Sequence, residues 1–318
     1  MKKLRTEDEI IASWKGDIGK PLVSVCCATY NHVMYIEDAL EGFLIQETNF
    51  PFEILIHDDA STDRTSDIIR EYAVKYPRLI KPIYQTENQY SKGIKISPSF
   101  NLPRAKGDYI AMCEGDDFWI DSKKLQIQYQ FMSDHDECSL SFHDSIVRDE
   151  ILMLKGHSDT RFCSSLRKKD FTTEDVIKNW FIPTQSMFIR RSALSVFPQW
   201  TNFIINVDWA IHMICSLQGK IMYVDKVMSV YRHHENGVSN KFRKSYFFTA
   251  NSLIRVLLYF DDYSEYRYRT LIKRQVTYLL LSSQFGSVNN FNRMLFLMIH
   301  PVFCIKKISV ALQRKKWI

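Results

Sequence analysis

The sequence predicts an α/β fold built on a mainly parallel central sheet, followed by a helical C-terminal extension. Between Pro21 and Asp117, short β-rich runs alternate with stretches of helical periodicity, the pattern of a parallel sheet covered on both faces. Three of those runs stop abruptly at polar residues, as strands do where they open onto a ligand crevice. Beyond about Lys241 the chain turns helical and aromatic, which divides it into an α/β body over 1–240 and an extension over 241–318.

The elements follow in order. Leu22 to Ala28 is an unbroken apolar run and reads as a buried strand. Tyr35 to Gln46 carries Ile36, Ala39, Leu40, Phe43 and Leu44 at helical spacing. Glu53 to His57 is a strand that ends in Asp58-Asp59, and Ser61-Thr62-Asp63 can cap a helix whose apolar stripe is Ile68, Ile69, Tyr72 and Ala73. Leu79 to Tyr84 and Asp108 to Cys113 are further strands. In the second half, Cys138 to Val147, Gln185 to Ile189 and Lys220 to Tyr231 read as strands and Val207 to Leu217 as a helix.

Composition narrows the class. At 318 residues and 46% hydrophobic content the chain can bury a large core. Its 7 cysteines include no C-x-x-C pair and no Cys/His array with zinc spacing, which favours a reducing compartment. Met1 to Asp8 turns acidic and polar where a signal peptide would need an apolar stretch, so a cytoplasmic location is expected. The net charge of +6 is unevenly spread: Tyr266 to Ile318 holds 10 basic and no acidic residues, leaving 32 basic against 36 acidic before it. An acidic body without a recognised nucleic-acid motif argues against nucleic-acid binding. A dehydrogenase is excluded as well, because the turn after the first strand is Ala28-Thr29-Tyr30-Asn31-His32-Val33 and lacks the Gly-x-Gly-x-x-Gly pattern.

The three polar strand ends are Thr29-Tyr30-Asn31-His32, Asp58-Asp59-Ala60-Ser61 and Glu114-Gly115-Asp116-Asp117. Carboxylates at a strand tip, with Gly115 letting the backbone turn, can hold Mg2+ or Mn2+ through hard oxygen ligands and leave positions open for phosphate oxygens. The alternative for the acidic runs is a solvated turn, since Asp-Asp and Gly-Asp are ordinary turn formers.

Taken in order, Pro21-Leu22-Val23-Ser24-Val25, Thr29-Tyr30-Asn31, Glu53 to Thr65, Gly107 to Ala111 and Glu114-Gly115-Asp116-Asp117-Phe118-Trp119 closely resemble family 2 glycosyltransferases. The resemblance runs over roughly residues 20–240. It implies a GT-A fold, a single nucleotide-binding α/β domain, and inverting transfer of a hexosyl- or N-acetylhexosaminyl-type sugar from a nucleotide-sugar, with a UDP-sugar expected. It places Thr29, Tyr30 and Asn31 beside the nucleotide, with Tyr30 stacked on the base, and Asp59 with Asp58 on the base itself. Glu114 and Asp116 take the two acidic positions of the family's Asp-x-Asp motif, the second usually on the metal and the first often facing the ribose. Gly115 and Asp117 complete that cluster.

The same resemblance assigns the catalytic base to Asp208 in Asn206-Val207-Asp208-Trp209, where a helix N-cap is the structural alternative. Tyr231-Arg232-His233-His234 matches an Arg-x-His element and adds His234 to the metal ligands Asp116 and Glu114, for Mn2+ or Mg2+. Arg232 is left between a phosphate and an internal carboxylate. Lys92, Lys95 and Arg104 are candidates for the diphosphate, and Gln185 and Ser186 for the acceptor. The implied acceptor is a glycan of bacterial surface-polysaccharide synthesis, carried on a polyprenyl diphosphate. A non-catalytic nucleotide-sugar or glycan-binding module is the competing reading.

In the extension, Met294 to Ile305 is an apolar run of 12 residues containing His300-Pro301, too short to span a bilayer, where about 20 are needed. Flanked by Arg293 and Lys306-Lys307, with Trp317 beyond, it reads either as an interfacial segment on anionic membrane at the cytoplasmic face or as a helix packed on the body.

Overall fold

The computed structural model describes residues 4–154, 156–237 and 246–284. The apolar run at Met294 to Ile305 and its basic flanks lie outside them.

A short helix α1 (Glu7–Ile11) precedes β1 (Val23–Thr29), α2 (Ile36–Leu44), β2 (Phe52–Asp58), α3 (Thr65–Lys75) and β3 (Ile80–Tyr84). A single turn, α4 (Leu102–Arg104), leads into β4 (Tyr109–Met112). Strand β1 pairs in parallel with β2, Val23 opposite Phe52 and Thr29 opposite Asp58, and on its other side with β4, Val23 opposite Tyr109. All seven residues of β2 are buried, as a parallel strand covered on both faces requires.

Two elements the periodicity did not reveal follow, β5 (Phe118–Trp119) and α5 (Lys124–Ser133). Then come β6 (Cys138–Asp149), α6 (Glu150–Met153), β7 (Thr160–Arg161), β8 (Asp170–Phe171), α7 (Thr173–Lys178), β9 (Phe188–Arg190), α8 (Val207–Gln218) and β10 (Lys220–His233). The helices α9 (Tyr246–Tyr263) and α10 (Arg269–Gln284) close the described chain.

The strands form one sheet in the order β3-β2-β1-β4-β9-β6-β10-β5, with β7 and β8 appended to β6 and β10. Strand β9 lies antiparallel to both β4 and β6, so it joins two parallel blocks, β3-β2-β1-β4 and β6-β10. The strand expected over Gln185 to Ile189 is therefore displaced. Following Pro183, Thr184–Ser186 make a 3-10 turn, and the extended stretch begins only at Phe188.

Alternation along β1 sorts the core into two layers. Val23, Val25 and Cys27 join Ile36, Leu40 and Phe43 of α2, Ile69 of α3 and Leu125 of α5 on one face. Cys26 joins the opposite face with Leu140, Phe142, Ile177 of α7 and Ile211 of α8. Val256, Leu257 and Phe260 of α9 and Ile272 of α10 are buried in that second core. The described part of the extension thus shares its apolar contacts with α7 and α8 rather than closing a core of its own. Among the described residues six cysteines are buried and unpaired, and no helix is long and apolar enough to cross a membrane.

Candidate active site

The carboxyl ends of β1, β2 and β4 open on one edge of the sheet, where connections leave β1 in opposite directions, the usual place for a ligand crevice. After β1 the chain turns through Asn31, whose φ of 54° lies in the left-handed region that Asn tolerates better than most residues. The turn is pinned to its neighbour: Thr62 N donates to Asn31 Oδ1 at 2.8 Å and Asn31 N donates to Ser61 Oγ at 2.9 Å. Tyr30 in that turn is left with 42% of its surface exposed.

The carboxylates ending β2 are occupied. Ser61 donates through Oγ and N to Asp58, whose carboxyl burial pushes upward against those bonds. Asp59 accepts from the amides of Gln89 at 2.8 Å and Tyr90 at 2.9 Å. Asp59 therefore ties down the loop that carries Tyr90, whose hydroxyl burial and the nearby Glu114 charge push upward. Nothing in the sequence pointed to Tyr90. The helix expected after Ser61-Thr62-Asp63 starts at Thr65, and Asp63 accepts from Thr65 N at 2.9 Å and Val33 N at 3.1 Å, so its carboxylate serves both turns.

Gly115 is needed for a different reason from the one the sequence suggested. Its φ is not left-handed; instead, a Cβ there would stand 2.5 Å from Thr29 Oγ1, 2.7 Å from Thr29 Cβ and 3.1 Å from His32 Nδ1. The glycine lets β1 and the acidic turn approach. Asp116 then meets two imidazoles, His234 Nε2 at 3.1 Å and His32 Nε2 at 3.7 Å from the same carboxylate oxygen, Oδ2. Burial alone would push the Asp116 carboxyl up, but the charge of His32 and the hydrogen bond with His234 outweigh it and hold it below its ordinary value. Burial conversely lowers the His32 imidazole against the pull of Asp116. His32 was named in the turn but not as a site residue; its position three residues past the end of β1 was the available signal.

Asp117 braces the turn. Its Oδ1 accepts from Arg232 N at 2.7 Å, and burial, reinforced by Asp116, pushes its carboxyl well up. The Arg232 guanidinium donates to Asp116 O at 3.1 Å, pairs with Asp38 and lies 4.2 Å over the Phe118 ring. Of its two readings, the internal carboxylate is the one observed. His234 follows directly on this clamp, 3% exposed, with its ring 4.5 Å from that of Tyr35.

Glu114 rims the crevice; loss of hydration, then the charges of Asp116 and Asp208, push its carboxyl up to about 8. Asp208 is half-buried in the first turn of α8. Burial raises the Asp208 carboxyl to about 6, opposed by the amides of Trp209 and Asp208 and by the Trp180 side chain. The helix is capped at Asn206, so Asp208 sits inside its first turn and is not the N-cap residue.

The remaining candidates separate. Lys92 pairs with Glu87, and Arg104 donates to Ile56 O, Lys81 O and Asn101 Oδ1, which engages both within the protein. Lys95 is 9% exposed with its ammonium 5.8 Å from the Tyr90 ring. Ser186 donates to Pro183 O at 2.6 Å, whereas the buried Gln185 side chain has no hydrogen-bond partner.

Among the described residues two groups could hold a cation, His32-Asp116-His234 and Glu114-Asp116-Asp117, each offering ligand atoms within 4.8 Å of one another. Asp116 Oδ1 and Asp117 Oδ2 are buried without hydrogen-bond partners, as expected of oxygens shaped to take a ligand. The donor set fits a divalent ion.

Residues 24–197 match the description Glycosyl transferase family 2, and the chain belongs to that family. An uncharacterised protein of Mycobacterium tuberculosis is 36% identical over 68% of this chain, which spans 60% of that relative's length. The putative teichuronic acid biosynthesis glycosyltransferase TuaG of Bacillus subtilis is 30% identical over 70% of this chain and 82% of its own. Among solved structures, TarS of Staphylococcus aureus with UDP-GlcNAc superposes with a TM-score of 0.56 at 19% identity, over 74% of this chain and 65% of that one. Mannosyltransferase PcManGT of Pyrobaculum calidifontis, in complex with GDP-Man and Mn2+, superposes with a TM-score of 0.55 at 16% identity, over 92% of this chain and 80% of that one. The fold is of the GT-A type.

Proposed function

We propose that this glycosyltransferase moves a sugar from a UDP-sugar to a hydroxyl of a glycan acceptor in a single inverting displacement. The observation that carries this reading is the cluster beyond β4, where Asp116 Oδ2 lies 3.1 Å from His234 Nε2 and 3.7 Å from His32 Nε2 while Asp116 Oδ1 and Asp117 Oδ2 stay buried without hydrogen-bond partners. A base on one side of a crevice and a phosphate-binding cluster on the other is what an in-line attack needs.

Thr29, Tyr30 and Asn31 flank the nucleotide, with Tyr30 against the base, and Asp58 and Asp59 build the wall on the base side. Asp116 with His234 and Glu114 would hold Mn2+ or Mg2+; the Pyrobaculum structure is a complex with GDP-Man and Mn2+. When bound, that ion offsets the charge of the departing diphosphate. Asp208 accepts the proton of the acceptor hydroxyl as its oxygen bonds to the anomeric carbon and the bond to the diphosphate oxygen breaks. The hydroxyl becomes acidic only as that bond forms, so a carboxylate base suffices. TuaG, named for teichuronic acid biosynthesis, favours a surface polysaccharide as the acceptor class. We place the reaction at the cytoplasmic face of the membrane on a polyprenyl-diphosphate-linked glycan.

The test is a panel of UDP- and GDP-sugars with and without Mn2+, read by thermal stabilisation and by donor turnover. Stabilisation by a UDP-sugar with Mn2+, and turnover lost in Asp208→Asn with stabilisation kept, is the expected result. Absence of stabilisation by any donor, or full transfer by Asp116→Ala, would overturn the proposal.

A further inference from the structure

Asp116 is reached by two imidazoles, and the one from β1 has no role in the reading above. We infer that His32, rather than Glu114, completes the ligand set of the cation with Asp116 and His234, and that this imidazole-carboxylate-imidazole set selects a first-row transition ion over Mg2+. The inference rests on the donor-binding reading and adds to it the choice of metal.

Geometry is the first support. His32 Nε2 and His234 Nε2 lie 3.7 and 3.1 Å from one oxygen, Asp116 Oδ2, and one ligand atom from each residue falls within 4.8 Å of the others. Ligands bound to one ion at about 2.1 Å stand roughly 3 Å apart when adjacent and about 4.2 Å apart when opposite. The three side chains therefore need only small adjustments to close on a common ion.

The His32 ring is also held in place. Its Nδ1 lies 3.1 Å from where a Cβ of residue 115 would be, so the imidazole packs against the glycine backbone with its Nε2 edge toward Asp116. Its ring meets that of His234 nearly perpendicular, at 89° with centroids 6.1 Å apart, so the two present edges from different directions. The alternative group, Glu114-Asp116-Asp117, offers oxygens alone; its Asp117 is held at Oδ1 by Arg232 N at 2.7 Å, with Oδ2 left over, and its Glu114 is exposed.

Chemistry supplies the selectivity. Mg2+ prefers an all-oxygen shell and gives up water reluctantly, whereas imidazole nitrogen favours the first-row transition ions. A site with two imidazoles and one carboxylate should bind Mn2+ or Co2+ ahead of Mg2+.

The experiment measures ion binding by the full-length chain without nucleotide: free Mn2+ by electron paramagnetic resonance, Mg2+ by competition, and Co2+ by its visible absorption. His32→Ala is expected to weaken Mn2+ binding by about tenfold or more, to change Mg2+ binding much less, and so to erase the preference. Millimolar imidazole should restore Mn2+ affinity, and His32→Gln, closer in size, should shift the preference in the same direction. Variants that keep the wild-type Mn2+ affinity and the wild-type ratio over Mg2+ would overturn the assignment. So would a loss of UDP affinity in EDTA with Mn2+ binding unchanged, which would make His32 a phosphate contact. In either case the wild-type protein still binds Mn2+ and UDP; if it binds neither, the donor reading itself falls.

Discussion

On the β1–β2 side of the crevice, polar side chains find partners about one strand away, whereas on the β10 side they reach across most of the body. Asn31 meets Ser61 and Thr62 at separations of 30 and 31 residues, and Asp59 meets Gln89 and Tyr90 at 30 and 31. Asp117 meets Arg232 at 115, and Asp116 meets His234 at 118. The wall proposed for the nucleotide is thus assembled by neighbouring strand ends of one parallel block. The cation site and the candidate base depend on β10 and α8 docking against that block.

Substitutions can test this contrast. The largest effect is expected on the long-range side: Asp208→Asn should lower transfer about 10³-fold while leaving UDP-sugar binding near wild type, checked by rate assay alongside calorimetry. Gly115→Ala strikes the junction of the two sides. Its new methyl would meet Thr29 Oγ1 at 2.5 Å, and the resulting shift of the acidic turn should reduce kcat about 10²-fold in the same assay. On the short-range side, Tyr30→Ala should weaken UDP binding about tenfold with kcat little changed, and Tyr30→Phe should be silent, because a stacked ring contributes about 1–3 kcal/mol.

The pH profile gives a milder probe of the same side as Asp208. With its carboxyl raised to about 6, Asp208 is protonated and unable to accept a proton below that value. The kcat/KM of the wild-type enzyme should therefore rise with pH through about 6 with the slope of one proton, and Asp208→Asn should remove that limb. Least affected should be Lys92→Ala: its ion pair with Glu87 is solvent-exposed, and the midpoint of urea denaturation should stay at the wild-type value.

The same division decided what could be read from the sequence. Strands β1 and β2 and helices α2 and α3 lie within a few residues of their expected places, because strands buried on both faces are apolar runs and the helices carry one apolar stripe each. Helix α5 escaped notice because polar residues occupy its buried face. Lys124 is fully buried, donates to Gln128 Oε1 at 2.8 Å and lies 4.0 Å over the Trp119 ring, while burial lowers its ammonium to about 7. In a linear reading such residues look solvent-facing.

The site was legible at its strand ends and opaque in its cross-links. Asp116 and His234 were singled out from motif positions, and they do meet. The commitment of Arg232 to Asp38 and of Asp59 to a loop depends on which distant segments fold back together, which local pattern does not carry. His32 was overlooked because its partner Asp116 lies on a different strand end, and only the close approach permitted by Gly115 brings them together.

The clamp of Arg232 on Asp117 and Asp116 also bears on how the protein is made. In a chain emerging from the ribosome the partners of Asn31 and Asp59 are all present once Tyr90 is out, whereas Arg232 and His234 follow the acidic turn by more than a hundred residues. Until then the acidic turn lacks its brace and its imidazole. A chain cut short of β10 would carry the acidic turn with neither the amide that holds Asp117 nor the imidazole of His234 that meets Asp116.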